Sequence, residues 1–126
     1  MLHRKWAFRL QDMLHAAHKI GDYVEGLTFE GFLADEKTYD AVIRQLTILG
    51  EAASHVPDEI ISLWPEVPWC EVRGMRNIVV HEYFGVNARI VWETATKNIP
   101  ELCPLLERLQ AEQASSTFGA DEGMET

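Results

Sequence analysis

Apolar residues recur at steps of three and four along almost the whole chain, and no segment alternates convincingly in steps of two. That period matches 3.6 residues per turn, so it selects helices over strands. A first helix is expected from about Arg4 to Val24. Leu10, Met13, Leu14, Ala17 and Val24 lie near one face of it, and Gly21 and Gly26 weaken its end. Phe29-Glu30-Gly31-Phe32 reads as a connector. A second helix begins near Asp35 or Lys37, with Tyr39, Val42, Ile43, Leu46, Leu49, Gly50 and Ala53 as its buried stripe. It must stop before Pro57, because a residue preceding proline disfavours helical geometry. Pro57-Asp58-Glu59 then reads as a short helix start, and Trp64 to Pro68 as a loop. A third helix is expected from about Trp69 to Tyr83, broken by Gly85, with Asn87 capping a fourth over Ala88 to Lys97. Pro100 opens another, in which Leu102, Leu105, Leu106 and Leu109 keep helical register and Pro104 is tolerated in the first turn. The spacing predicts one all-α bundle of four to five helices over residues 1–114, then a flexible acidic tail over 115–126.

The chain of 126 residues is long enough to bury a real core, and no apolar run could span a membrane. The basic N-terminus lacks the apolar stretch and cleavage site of a signal peptide, so a cytoplasmic protein is expected. Cys70 and Cys103 form no CxxC pair and read as two reduced thiols. The net charge of −9 argues against a dedicated nucleic-acid binder, since phosphate neutralisation usually needs a basic surface. The charge is uneven, however. Residues 1–20 hold Arg4, Lys5, Arg9 and Lys19 against Asp12 alone, which leaves room for a local basic cleft on an acidic body.

The densest chemistry is the run from Arg76 to Tyr83, Arg-Asn-Ile-Val-Val-His-Glu-Tyr. A guanidinium holds a phosphate by paired hydrogen bonds. An imidazole moves a proton near neutral pH. Together they suffice for cleavage of a phosphodiester without a metal. On an ideal helix, Trp69, Met75, Val79 and Tyr83 fall within about 60° of Val72 and form a core stripe. Arg73, Asn77 and His81, four apart, share another side with Cys70, Gly74 and Phe84, a set that suggests a second buried or interfacial face. Arg76 sits at the edge of the apolar stripe and needs a partner or a ligand. Arg76 and His81 stand about 140° apart, so one helix alone makes a poor site. Two such helices meeting across a two-fold axis would line one cleft, which motivates a homodimer.

With its flanks, this run resembles the HEPN-domain toxins of the HepT type, whose signature is Arg, four to six residues, then His, often extended as His-x-Tyr. Arg76, Asn77, His81 and Tyr83 match it. So do Pro68-Trp69 before the motif, Gly74-Met75-Arg76-Asn77 leading in and Tyr83-Phe84-Gly85-Val86 leading out. Phe32-Leu33-Ala34-Asp35, Asp40-Ala41-Val42 and Gly50-Glu51-Ala52 resemble the family's upstream helix. The resemblance covers roughly residues 5–110. It implies a HEPN-like helical bundle forming a two-fold dimer, and a metal-independent ribonuclease with the Arg and His motifs of both chains near the dimer cleft. It also implies a neighbouring nucleotidyltransferase of the minimal MNT type as antitoxin, which in some members transfers AMP to the tyrosine of His-x-Tyr, here Tyr83.

On that reading Arg76 and His81 are the catalytic pair, with Asn77 and Arg73 as helpers that orient His81 or position RNA. No cofactor is expected. The substrate is RNA, tRNA or mRNA in class. The structural alternatives are plain ones: Tyr83 lies on the core stripe, and Asn77 could be an ordinary helix contact. His15 and His18 have a spacing that can bind metal but lack a third ligand, so no metal site is assigned. Trp6, Trp64, Trp69 and Trp92 read as packing residues. The competing function is a non-catalytic helical module that binds nucleotide or a nucleotidyltransferase partner.

Overall fold

The computed structural model of the protein describes residues 2–77 and 88–125, with side chains described for 6–77 and 88–113. Among the described residues the fold is all-α, without a strand. Helix α1 spans Leu2–Val24 and buries Trp6, Leu10, Met13, Leu14, Ala17, Ile20 and Val24, the stripe its period requires. Gly26 follows it at φ 78°, a left-handed geometry that costs glycine little, and Leu27 N–H donates to Val24 O at 3.0 Å.

The segment expected as a connector is a short helix, α2, over Phe29–Ala34. Thr28 caps it, its Oγ1 accepting from Gly31 N–H at 3.0 Å. Aromatic packing holds it in place. The fully buried Phe32 has its ring centroid 5.2 Å from those of both Tyr39 and Trp92. The Arg89 guanidinium lies 4.2 Å over the Phe29 ring. A partner some sixty positions away stabilises this helix, and local spacing does not reveal it.

Helix α3, Glu36–Ala53, starts on Asp35. Asp35 accepts from Thr38 N–H at 3.1 Å and from Thr38 Oγ1 at 2.7 Å. These bonds to Thr38, side chain first, hold the Asp35 carboxyl below its ordinary value. The cap therefore helps above the unfolded-state carboxyl pKa and is lost as pH falls through the lower folded value. Val42, Leu46, Leu49, Gly50 and Ala53 are buried as expected, while Tyr39 and Ile43 are half-buried. Helix α4 covers Asp58–Leu63, and Trp69 Nε1 donates to Trp64 O at 2.9 Å to close the following loop.

Helix α5 spans Trp69–Gly74 and buries Trp69 and Val72. The third helix was expected to run on unbroken. Instead the chain tightens into a 3₁₀ turn at Met75–Asn77. Helix α6, Ala88–Glu93, widens into a π turn at Thr94–Asn98, which leads without a break into α7, Ile99–Glu125. Two further expectations are thereby corrected. No boundary separates a helix ending at Lys97 from one opening at Pro100, and Pro104 lies inside α7 rather than in a first turn. The wide winding falls just before Pro100, which has no N–H to give, and Ile99 N–H reaches back to Thr94 O. Leu102, Leu106 and Leu109 of α7 are buried.

Helix α1 packs along α3 and α7, and α3 packs on α5 and the 3₁₀ turn. Each fully buried leucine, such as Leu46 or Leu106, contributes about 1.5–3 kcal/mol by leaving water. This three-helix core is the base against which α5 and the 3₁₀ turn carry Arg73 and Arg76.

Candidate functional site

The motif's arginines rest on the last turn of α3. At Gly50 the two elements come as close as backbones allow. A Cβ there would stand 2.5 Å from Arg76 N and 3.1 Å from Arg73 O. Glycine thus lets the start of the motif lie against α3, and only a residue without a side chain fits.

Arg73 is part-buried and spent on that contact. Its Nε donates to Ala53 O at 3.2 Å and its Nη2 to Val56 O at 3.0 Å. Ala53 ends α3 and Val56 lies in the turn after it, at the helix end that favours a cation. Arg73→Ala is expected to lower stability by about 2 kcal/mol, read as a lower urea midpoint, because two charge-assisted bonds are lost at a partly buried place.

Arg76 is different. Its side chain is 47% exposed, and Nη1 lies 3.3 Å from both Glu51 Oε1 and Ser54 Oγ. Exposed pairs of this kind add only about 0.2–1 kcal/mol. The carboxylate and hydroxyl therefore aim the guanidinium more than they stabilise the fold. Asn77 is exposed beside it. Two turns of chemistry thus meet at one edge: Arg76 from the 3₁₀ turn, with Glu51, Ser54 and His55 from the end of α3. His55 donates from Nδ1 to Glu51 O at 2.9 Å, and the same nitrogen lies 3.8 Å from Glu51 Oε2 and 3.5 Å from Ser54 Oγ.

His81 and Tyr83 lie outside the described residues, as do Gly85 and Asn87. The wheel that set Arg76 and His81 about 140° apart assumed an ideal α-helix, and that angle likewise lies outside the described residues. Glu51, Ser54 and His55 were missed as partners of Arg76. The signals that could have found them were Gly50, whose lack of a side chain marks a close approach, and the carboxylate next to it.

A concave feature away from Arg76 is lined by residues of α5, the π turn and α7. It is a groove of about 670 Å³ floored by Val72, Met75, Leu102 and Leu105 and rimmed by Glu66, Glu71 and Glu101. Three carboxylates repel a polyphosphate, so the chemistry of the Arg76 edge suits an anion better than this groove does. Among the described residues no group of three or more His, Cys, Asp or Glu is placed to hold a metal ion, and His18 Nε2 lies 3.1 Å from Glu107 Oε2. Cys70 is exposed. Cys103 is half-buried, and burial pushes its thiol pKa up, away from the reactive thiolate. No helix of the described residues is long and apolar enough to cross a membrane.

Comparison with known proteins gives the chain a family. The model of the family described as ribonuclease HepT-like matches residues 13–109. A Thermococcus cleftensis protein named "Probable ribonuclease HepT" is 42% identical over 80% of this chain and 92% of its own length. A Caldanaerobacter subterraneus protein named as a candidate RNase is 44% identical over 74% of this chain and 83% of its own. One from Methanocaldococcus jannaschii, named likewise, is 34% identical over 85% and 92%. No solved structure matches the chain. The matched span contains α3, α5 and the whole Arg76–Tyr83 run, and the chain belongs to the HepT-like ribonuclease family.

Proposed function

We propose that this chain is an endoribonuclease that cleaves RNA without a metal, as half of a homodimer whose Arg76 and His81 motifs face a shared cleft. One observation carries the reading: a half-exposed guanidinium, aimed by Glu51 and Ser54 through Nη1, inside the stretch shared with relatives that bear ribonuclease names. A guanidinium held by one nitrogen keeps further donors for a phosphate, since it carries five N–H groups in a fixed fork.

The reaction follows from RNA's own chemistry. The 2′-oxygen attacks the adjacent phosphorus while a base takes its proton. The bond from phosphorus to the 5′-oxygen breaks, and an acid protonates that oxygen. The products are a 2′,3′-cyclic phosphate and a free 5′-hydroxyl. His81 serves as base or acid, and the two His81 of a dimer divide the roles. Arg76 stabilises the extra charge on phosphorus. Asn77 orients His81 or binds a phosphate oxygen. The test is cleavage in excess EDTA. RNA should be cut and an all-deoxy oligonucleotide left intact, since only RNA carries the attacking hydroxyl. An unaffected His81→Ala variant, or activity that EDTA abolishes, contradicts the scheme, and wild type that cuts no RNA under any condition leaves the non-catalytic module.

Regulation follows the same proposal. A cognate MNT-type nucleotidyltransferase acts as antitoxin: the Tyr83 hydroxyl, losing its proton, attacks the α-phosphorus of ATP, pyrophosphate leaves, and the AMP, two positions from His81, is a bulky anion that excludes RNA. Incubation with that enzyme and ATP should add mass in units of AMP, and Tyr83→Phe should take up none.

A further inference from the structure

We infer that His55 is a second phosphate ligand of this site, contacting RNA beside Arg76, with Glu51 as the positioning residue that holds the two cationic groups together. The inference rests on the ribonuclease reading for its choice of RNA as ligand. Its geometry is independent of the undescribed segment, because every group comes from α3, the turn after it or the 3₁₀ turn.

Glu51 offers one carboxylate oxygen to each neighbour. Oε1 lies 3.3 Å from Arg76 Nη1, and Oε2 lies 3.8 Å from His55 Nδ1. Ser54 Oγ stands between them, 3.3 Å from Arg76 Nη1 and 3.5 Å from His55 Nδ1. Guanidinium and imidazole therefore bracket one hydroxyl on a single chain. The His55 ring is also oriented. A carbonyl can only accept, so the 2.9 Å contact to Glu51 O fixes the proton on Nδ1. That makes Nε2 the atom that binds or releases the second proton. Protonated, the ring adds a second charge-assisted donor next to the guanidinium.

The bland alternative is a surface histidine closing a helix end. It accounts for the bond to Glu51 O. It does not account for a carboxylate shared with an arginine from another element, at an edge where exposed pairs contribute little to stability. Arg76 cancels the Glu51 charge, and protonated His55 leaves the cluster net positive. That is the sign a single-stranded RNA backbone requires. The acidic composition that argued against nucleic acid is thereby offset locally.

The test is binding of a 2′-O-methylated RNA oligonucleotide, which cannot be cleaved, followed by fluorescence anisotropy at pH 5.5. His55→Ala should weaken binding about fivefold and make the plot of log affinity against log salt shallower by about 0.7. His55→Arg should restore both, and His55→Gln, which keeps a donor without charge, should restore neither. Unchanged binding by His55→Ala overturns the inference. So does restoration by His55→Gln, which would mark a helix-end contact. A fall in kcat with binding intact would make His55 a proton-transfer group and overturn its assignment as a phosphate ligand. Urea midpoints check that each variant is folded. The binding series needs no turnover, so wild type that binds RNA yet fails to cut it in EDTA removes the ribonuclease reading and leaves this one standing.

Discussion

Replacing Arg76 with alanine is expected to cut the rate of RNA cleavage by about 10²–10³-fold, the usual effect of removing one donor aimed at developing charge. The fold should be almost untouched. The pair with Glu51 is half-exposed, and its loss costs about 0.2–1 kcal/mol at most. Arg76→Lys should recover little, because an ammonium lacks the planar fork that grips a phosphate at two points. Single-turnover cleavage of a labelled RNA, with a urea melt as control, separates the two effects. The same variant probes the composite cleft. If each site takes Arg76 from one chain and His81 from the other, mixing Arg76→Ala with His81→Ala should regain part of the activity, since every mixed dimer holds one intact pair. Mixtures as dead as their parents would mean either that the cleft needs both His81 rings or that Arg76 and His81 act on one chain.

Gly50→Ala should be damaging, because Gly50 has the tightest surroundings among the glycines of the described residues. Alanine favours a helix over glycine by up to about 1 kcal/mol. The added Cβ would meet Arg76 N at 2.5 Å, however, and backbone there cannot rotate away. Forcing α3 and the 3₁₀ turn apart costs about 3 kcal/mol. The net loss is about 2 kcal/mol, a large part of the 5–15 kcal/mol typical of a domain. Gly21→Ala in α1 is the natural control. Nothing lies within 4 Å of its added Cβ, so helix propensity alone acts and the variant should gain stability. Paired urea titrations decide it. Cleavage by the folded Gly50→Ala protein should fall as well, because the displaced backbone is that of Arg76.

The helical period made the core legible. The stripes through Leu10 and Met13, Leu46 and Leu49, and Leu106 and Leu109 are all buried, because burial on a helix repeats with the turn and leaves its mark in spacing. Residue chemistry made Arg76 legible, since a guanidinium at the edge of an apolar stripe needs a partner. The identity of that partner was not legible. Glu51 stands 25 positions earlier, and spacing carries no information about which helix ends meet. The same holds for α2, whose Phe32 finds Trp92 across the bundle. The tightened turn at Met75–Asn77 and the wide turn at Thr94–Asn98 escaped because both keep an apolar rhythm close to the α period.

The docking of Arg73 and Arg76 onto the end of α3 has a consequence for when the enzyme can work. The contacts join positions 17 to 25 apart in the chain, so no short peptide carrying the motif reproduces them. A ribosome releases α3 before α5, and until both have emerged and met, the arginine has no fixed direction. Nuclease competence then arrives with tertiary folding rather than with synthesis of the motif. A cell making this protein has an interval in which the chain exists but cannot yet cut RNA, and any variant that slows the meeting of α3 and α5 lengthens it.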